Sequence, residues 1–240
     1  MTPRVAFVVS LVVFGAVAGR LGGSTSFPGG DEPHYLVITQ SLIHDGDLKI
    51  EDNHRREEYR AYFGRALGPH YLTRGIDGEI YSVHPLGISF LVLPAFAVAG
   101  YLGAVATIIA ATALGSALAW RVAWMLTASA GGAWAGWAAV FLTIPYFVHG
   151  CTVYPDGVGG LLTIAAAWLL VALECGRPVS RRQFAAVGAA LAALPWMHTR
   201  FAVLAGALGA VLVARLMARA DRVGGVSALL AVPVVSAAAW

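Results

Sequence analysis

The chain has 240 residues, of which 58% are hydrophobic and only 12% are charged. A soluble domain carries about 25% charged residues. The composition therefore excludes an ordinary soluble enzyme and predicts an all-α fold, a polytopic transmembrane helix bundle, because lipid leaves an open chain no other way to pair its backbone. The net charge of +3, from 16 Lys and Arg against 13 Asp and Glu, is spread over short loops rather than gathered on one face, which argues against a nucleic-acid partner.

Residues 5–21 form the first predicted span, with Arg4 before them. The same stretch also fits a signal peptide with a cleavage-like Ala16-Val17-Ala18, but the apolar runs that follow favour an uncleaved helix. Residues 22–84 form the long polar segment. It holds 10 of the 13 acidic residues and five of the seven histidines, and it reads as a functional loop rather than a simple connection. Asp31-Glu32-Pro33 starts a short helix that stops near Gly46. Tyr35, Ile38 and Leu42, with Leu36 and Ile43, fall on one face, which predicts an interfacial helix lying on the membrane with that face down. Between 52 and 66, Arg55, Arg56, Glu57, Glu58, Arg60 and Arg65 predict a solvated helix with internal ion pairs. Gly75 to Tyr81, with Asp77-Gly78 at its centre, predicts a tight turn.

Apolar runs follow at 85–100, 102–120, 131–148, 158–173, 184–196, 201–213 and 223–240. Arg177, Arg181 and Arg182 in one short loop, and Arg215, Arg219 and Arg222 in another, mark the cytoplasmic side. Counting outward from these, 154–156 and 198–200 fall on the non-cytoplasmic side with the long polar loop, while Arg121 falls inside. That count requires 85–100, which is short and carries Pro94, to lie in the interface or re-enter rather than cross. Cys151 and Cys175, at opposite ends of one predicted span, are expected to be free thiols. Trp120, Trp124, Trp196, Tyr146 and Tyr154 are expected to act as interface anchors. The predicted organisation is a single membrane-embedded domain over 1–240: span 5–21, external loop 22–84 with interfacial helices, and the remaining spans over 85–240. It stops inside an apolar run, which predicts a missing C-terminal part.

On these sides, Asp31, Glu32, His84, His149, Asp156, His198 and Arg200 would surround one external site. Each has a plainer alternative. Asp31 and Asp156 suit helix caps, Glu32 suits the helix dipole, and Arg200 suits snorkelling. Each histidine alone is more often a satisfied polar residue.

Four stretches in this order carry a family resemblance: Gly30-Asp31-Glu32-Pro33-His34-Tyr35 running to Asp45-Gly46-Asp47; His84-Pro85-Leu86-Gly87; Pro145-Tyr146-Phe147-Val148-His149 leading to Tyr154-Pro155-Asp156; and Trp196-Met197-His198-Thr199-Arg200. Together they resemble the membrane-embedded glycosyltransferases of the GT-C type, such as protein O-mannosyltransferases and the lipid A aminoarabinose transferases. That family often carries Lys near the position of His198–Arg200, which this chain does not. The resemblance implies a multi-pass protein of the plasma or inner membrane. It would move a sugar from a polyisoprenyl-phosphate donor to an acceptor of unspecified identity on the outer face, among membrane lipids.

Asp31 or Glu32 is then the candidate base for the acceptor hydroxyl. Asp156, His84, His149, Tyr154, His198 and Arg200 are candidate substrate contacts, with Arg200 matched to phosphate oxygens. No metal ligand is assigned, although a divalent metal is compatible with His84, His149 and His198. Two rival classes remain: a transporter or flippase, which would need ionisable groups at mid-membrane depth, and a non-catalytic truncated subunit.

Overall fold

The structure, a computed structural model, describes residues 2–21, 28–219 and 222–239. The helices in chain order are α1 (Pro3–Leu21), α2 (Glu32–His44), α3 (Glu51–Arg55), α4 (Gly87–Thr127), α5 (Ala130–Phe141), α6 (Ile144–His149), α7 (Pro155–Glu174), α8 (Arg181–Met197), α9 (Phe201–Met217) and α10 (Arg222–Ala239). A short 3₁₀ turn covers Glu58–Ala61. Among the described residues no strand forms, and the one β-type pairing is an isolated bridge between Lys49 and Tyr81. α1, α4 and α7 are long and apolar enough to cross a membrane.

α4 has 41 residues, about 60 Å if straight, twice a hydrocarbon core of about 30 Å. It is not straight. Ala99 and Gly100 leave helical geometry, and Gly100 has φ +57°, a value that an L side chain adopts only with strain. The break folds 87–98 back against the start of 101–127, where Gly103 lies against the Ala95 carbonyl. The first half of the run is thus a separate short arm.

The remaining helices alternate between two ends. At the arginine-rich end, Arg215 pairs with Glu174 at 3.0 Å, Arg219 donates to the Leu173 carbonyl at 3.1 Å, and Ala6 packs with Trp120. At the opposite end lie the polar segment, the connection from α6 to α7 and the connection from α8 to α9. α1 is built into the core between them. Phe14 is fully buried, 4.8 Å from the Phe141 ring and 6.2 Å from that of Phe147, and Ser10 accepts from the Trp137 indole.

α2 departs from expectation. It is not a surface helix with one face down, because every residue from Glu32 to Ser41 is buried. Tyr35 and Leu36 pack on the α4 side, while Val37 and Ile38 join Ile50, Tyr59 and Ile80 on the other. The reason is local: 35–38 are four consecutive apolar residues, which at 100° per residue surround a helix instead of lining one stripe. The segment from 45 to 81 forms the roof. Arg56 holds it by pairing with Asp45, Asp52 and Glu58 at 2.7–2.8 Å, and the 75–81 turn closes with Gly78 donating to the Gly75 carbonyl. The expected ion pairs are present, but on short helical pieces rather than one helix.

The aromatic span ends also differ from free anchors. The Tyr146 hydroxyl donates to the Thr112 carbonyl and the Trp196 indole to Ser236, while Trp120 is buried. Both cysteines are free thiols, with Cys151 buried. Replacing Phe14 with Ala is expected to cost about 3–5 kcal/mol, read as a lowered unfolding midpoint in detergent, because it empties the junction of α1, α5 and α6. An unchanged midpoint would mean that α1 is not part of the core.

Candidate functional site

The site is built on a clasp between the start of the polar segment and the start of α7. Gly30 has φ +57° and turns the chain so that 29–32 wrap over the Tyr154 hydroxyl, which a Cβ on Gly30 would strike. The Asp31 amide donates to that hydroxyl at 2.8 Å, and the hydroxyl donates to the Gly29 carbonyl at 3.2 Å. In the other direction the Glu32 carboxylate accepts from the Val153 amide at 2.6 Å, the Gly29 amide at 3.0 Å and the Tyr101 hydroxyl at 3.4 Å. Glu32 is 0% exposed. Burial pushes its carboxyl above the usual range, while the three hydrogen bonds pull the other way.

The two adjacent acids therefore sit in different surroundings. Asp31 occupies the N-cap position of α2 without a side-chain cap bond, and it is only partly buried. The capping explanation for Asp31 does not describe this geometry.

The other predicted residues come to the same end. Gly87 touches the backbone of Trp196, so the start of α4 is pressed on the end of α8, which brings His84 towards His198. Arg200 pairs with Asp156 and covers the Phe201 ring at 5.0 Å. His198 Nδ1 accepts from the Arg200 amide at 3.2 Å. Burial, then the nearby Arg200 charge, lowers the His198 pKa, while Asp156 and Asp31 oppose that shift. The His149 ring rests 4.8 Å from that of Tyr154, and its Nδ1 is buried without a hydrogen-bond partner among the described residues. Asp31, Glu32, His84, His149, Tyr154, Asp156, His198 and Arg200 thus share one end of the molecule. Tyr154 and Glu32 form its frame, and Asp31, His198 and the Asp156–Arg200 pair are its partly exposed polar groups.

Beneath Asp156 a cavity of about 340 Å³ runs along α7. It is lined by Tyr146, Gly159, Gly160, Ile164 and Phe201, so a charged mouth leads into an apolar channel.

Sequence reasoning missed a second feature. The metal-compatible set read from the sequence was His84, His149 and His198, but His84 instead joins His34 and His70. His70 Nδ1 and His84 Nε2 are 3.2 Å apart, and the His34 and His70 rings stack at 3.6 Å. His34 is 5% exposed, and burial, then the neighbouring His70, His84 and His54, lowers its pKa to about 3. Burial lowers His54 and His84 as well. The available signal was the count of five histidines in one polar segment. Compared with known proteins, the chain matches no family model, no curated protein and no solved structure.

Two outcomes follow from this geometry. Glu32→Gln places an amide N–H against one of the backbone N–H donors and is expected to lower stability by about 1–3 kcal/mol, measured by thermal unfolding in detergent. Asp31→Asn should leave the midpoint within experimental scatter, and equal effects of the two would contradict the clasp. The second outcome concerns acid. Below the ordinary histidine value of 6.5, the unfolded chain takes up protons that His34, His54 and His84 refuse while folded. Stability therefore falls as pH falls below about 6.5, by up to about 1.4 kcal/mol per pH unit for His34 down to its value of about 3, with His54 and His84 acting in the same direction. Glu32, shifted upward, opposes this. Melting with EDTA present between pH 7.5 and 5 checks the sign, and a midpoint that rises on acidification would refute it.

Proposed function

We propose that the chain is a polytopic membrane glycosyltransferase of the GT-C kind, with its histidine-rich end on the non-cytoplasmic side of the plasma or inner membrane. Its donor is a sugar on a polyisoprenyl phosphate. The observation that carries this reading is the Asp156–Arg200 pair at a cavity that Asp156 lines and whose interior is apolar, with Asp31 tied to the same end through the Tyr154 hydroxyl. A lipid-linked donor needs that combination, because its chain partitions into an apolar groove while its phosphate stays among charged donors.

In the proposed reaction the acceptor hydroxyl oxygen forms a bond to the anomeric carbon as its proton passes to the Asp31 carboxylate. The bond from the anomeric carbon to the phosphate oxygen breaks, and its electron pair leaves with the lipid phosphate. Arg200 engages Asp156 through one nitrogen and keeps further N–H donors for phosphate oxygens. Its side chain is 51% exposed and can reach them. Glu32, enclosed and triply hydrogen-bonded, positions the turn that carries Asp31.

The transporter class finds less support. Apart from residues near their ends, α1 and α7 carry no ionisable side chain, and α4 carries only Tyr101 and Arg121, each near one end of its longer segment. Asp31→Asn is expected to lower sugar transfer from a polyisoprenyl-phosphate donor by about 10²–10⁴-fold without loss of fold. Arg200→Ala should raise KM for the donor more than it lowers kcat. Full transfer by Asp31→Asn would remove Asp31 as the base.

A further inference from the structure

The polar segment contains a group of side chains that the proposed transfer does not use. His34 on α2, His70 in the loop and His84 ahead of α4 each place one ring nitrogen within 4.8 Å of the other two. They come from three separate stretches, and their rings lie within 26° of parallel. Among the contacts between them, one nitrogen pair, His70 with His84, is at hydrogen-bond distance. Three imidazoles drawn together by a fold, with His34 almost wholly enclosed, hold more lone pairs than this contact uses.

Their neighbour His54 adds a second observation. Its Nδ1 meets the Leu67 carbonyl at 3.0 Å, and a carbonyl only accepts, so Nδ1 carries the proton. The Nε2 lone pair is left buried, with no partner among the described residues. A ring nitrogen held by a backbone carbonyl while the other presents its lone pair is how proteins orient metal-binding imidazoles. The His54 ring lies 6.4 Å from that of His34.

We propose that His34, His70 and His84 bind one divalent ion of the Zn²⁺ class, with His54 beside it. A donor set of imidazoles selects such an ion over Mg²⁺ or Ca²⁺, which prefer oxygen ligands. Zn–N bonds of about 2.0–2.1 Å place tetrahedral ligand atoms about 3.4 Å apart, so the nitrogens are already near ligand spacing, and the His70 ring, stacked on His34, must swing out of the stack to point at the ion. His70, exposed on its loop, has the freedom to move. Three protein ligands leave a fourth position for water or an incoming oxygen.

The ion also has a mechanical role. The stretch around His70 exposes Leu72 and Ile76 almost entirely, so little apolar burial holds it down. A metal joining His70 to α2 ties that stretch to the core. This inference does not depend on the transfer reaction.

The test uses the full chain in detergent, stripped with EDTA and titrated with Zn²⁺ or Co²⁺. Expected are one ion per chain by elemental analysis and the visible absorption of tetrahedral Co²⁺. Loss of a mere supporting residue around a metal costs about 10–100-fold in affinity, so His70→Ala should weaken binding by at least that much. Its melting point in EDTA should match that of the parent chain, because His70 is exposed. His44→Ala, an exposed histidine of the same segment, and the pair His149→Ala with His198→Ala should bind as the parent does. Absence of a stoichiometric ion, undiminished binding by His70→Ala, or equal affinity for Mg²⁺ would overturn the proposal.

Discussion

Everything at the polar end depends on the contact between the Glu32 carboxylate and the Val153 amide. A carboxylate with no exposure is expensive unless hydrogen bonds replace its water. A backbone N–H at the bend before α7 is also costly if left alone, though less so than the charge. The 2.6 Å bond between them resolves both, across 121 residues of sequence. Tyr154 makes the return connection to Gly29 and Asp31. With contacts running in both directions, the turn at 29–32 cannot shift relative to 153–156, and Asp31 is held in register with Asp156. Thr112 extends the frame, because its hydroxyl bonds the Gly150 carbonyl at 2.8 Å and fixes the loop before α7 to α4.

The roof over α2 is held differently. Its apolar contribution is small, centred on Ile50, Tyr59 and Ile80. Individual exposed ion pairs contribute little, but Arg56 reaches three carboxylates at once, and Asn53 bonds both Asp45 and Glu58. Such a network restricts geometry more than it adds stability. It encloses α2 and thereby removes water from His34, which is why a histidine two residues from Glu32 stays neutral.

The sequence disclosed the ends of helices better than their surroundings. Charged residues beside apolar runs mark where a span stops, so the meeting of 31–32 with 154–156 and 198–200 was readable. Which of two adjacent acids is enclosed was not readable. Neighbouring positions at a helix start point in different directions, and only Val153, far away in sequence, decides between them. α2 was misread because its 3–4–7 spacing was counted while the unbroken run Tyr35–Ile38 was not weighed. The histidine group lay beyond reach for a related reason. His34, His70 and His84 follow no ligand spacing, and a metal site assembled from one short helix and two loops leaves only a compositional trace.

On the proposed reading, charge decides which cavity matters. A cavity of about 640 Å³ between α8, α9 and α10 is lined by apolar side chains with Ser236 as the sole polar one. It offers nothing to a phosphate. The smaller channel under Asp156 has the charged mouth. Yet that mouth is short of positive charge, because Asp31 and Asp156 stand against the guanidinium of Arg200, and burial disfavours the charged form of His84 and His198. A lipid phosphate arriving there would meet net repulsion at close range. A divalent ion on His34, His70 and His84 would reverse that balance from the Asp31 side, where the Asp31 charge already acts on His84. The enclosed histidines and the exposed carboxylate would then be two halves of one electrostatic arrangement, each accounting for what the other lacks.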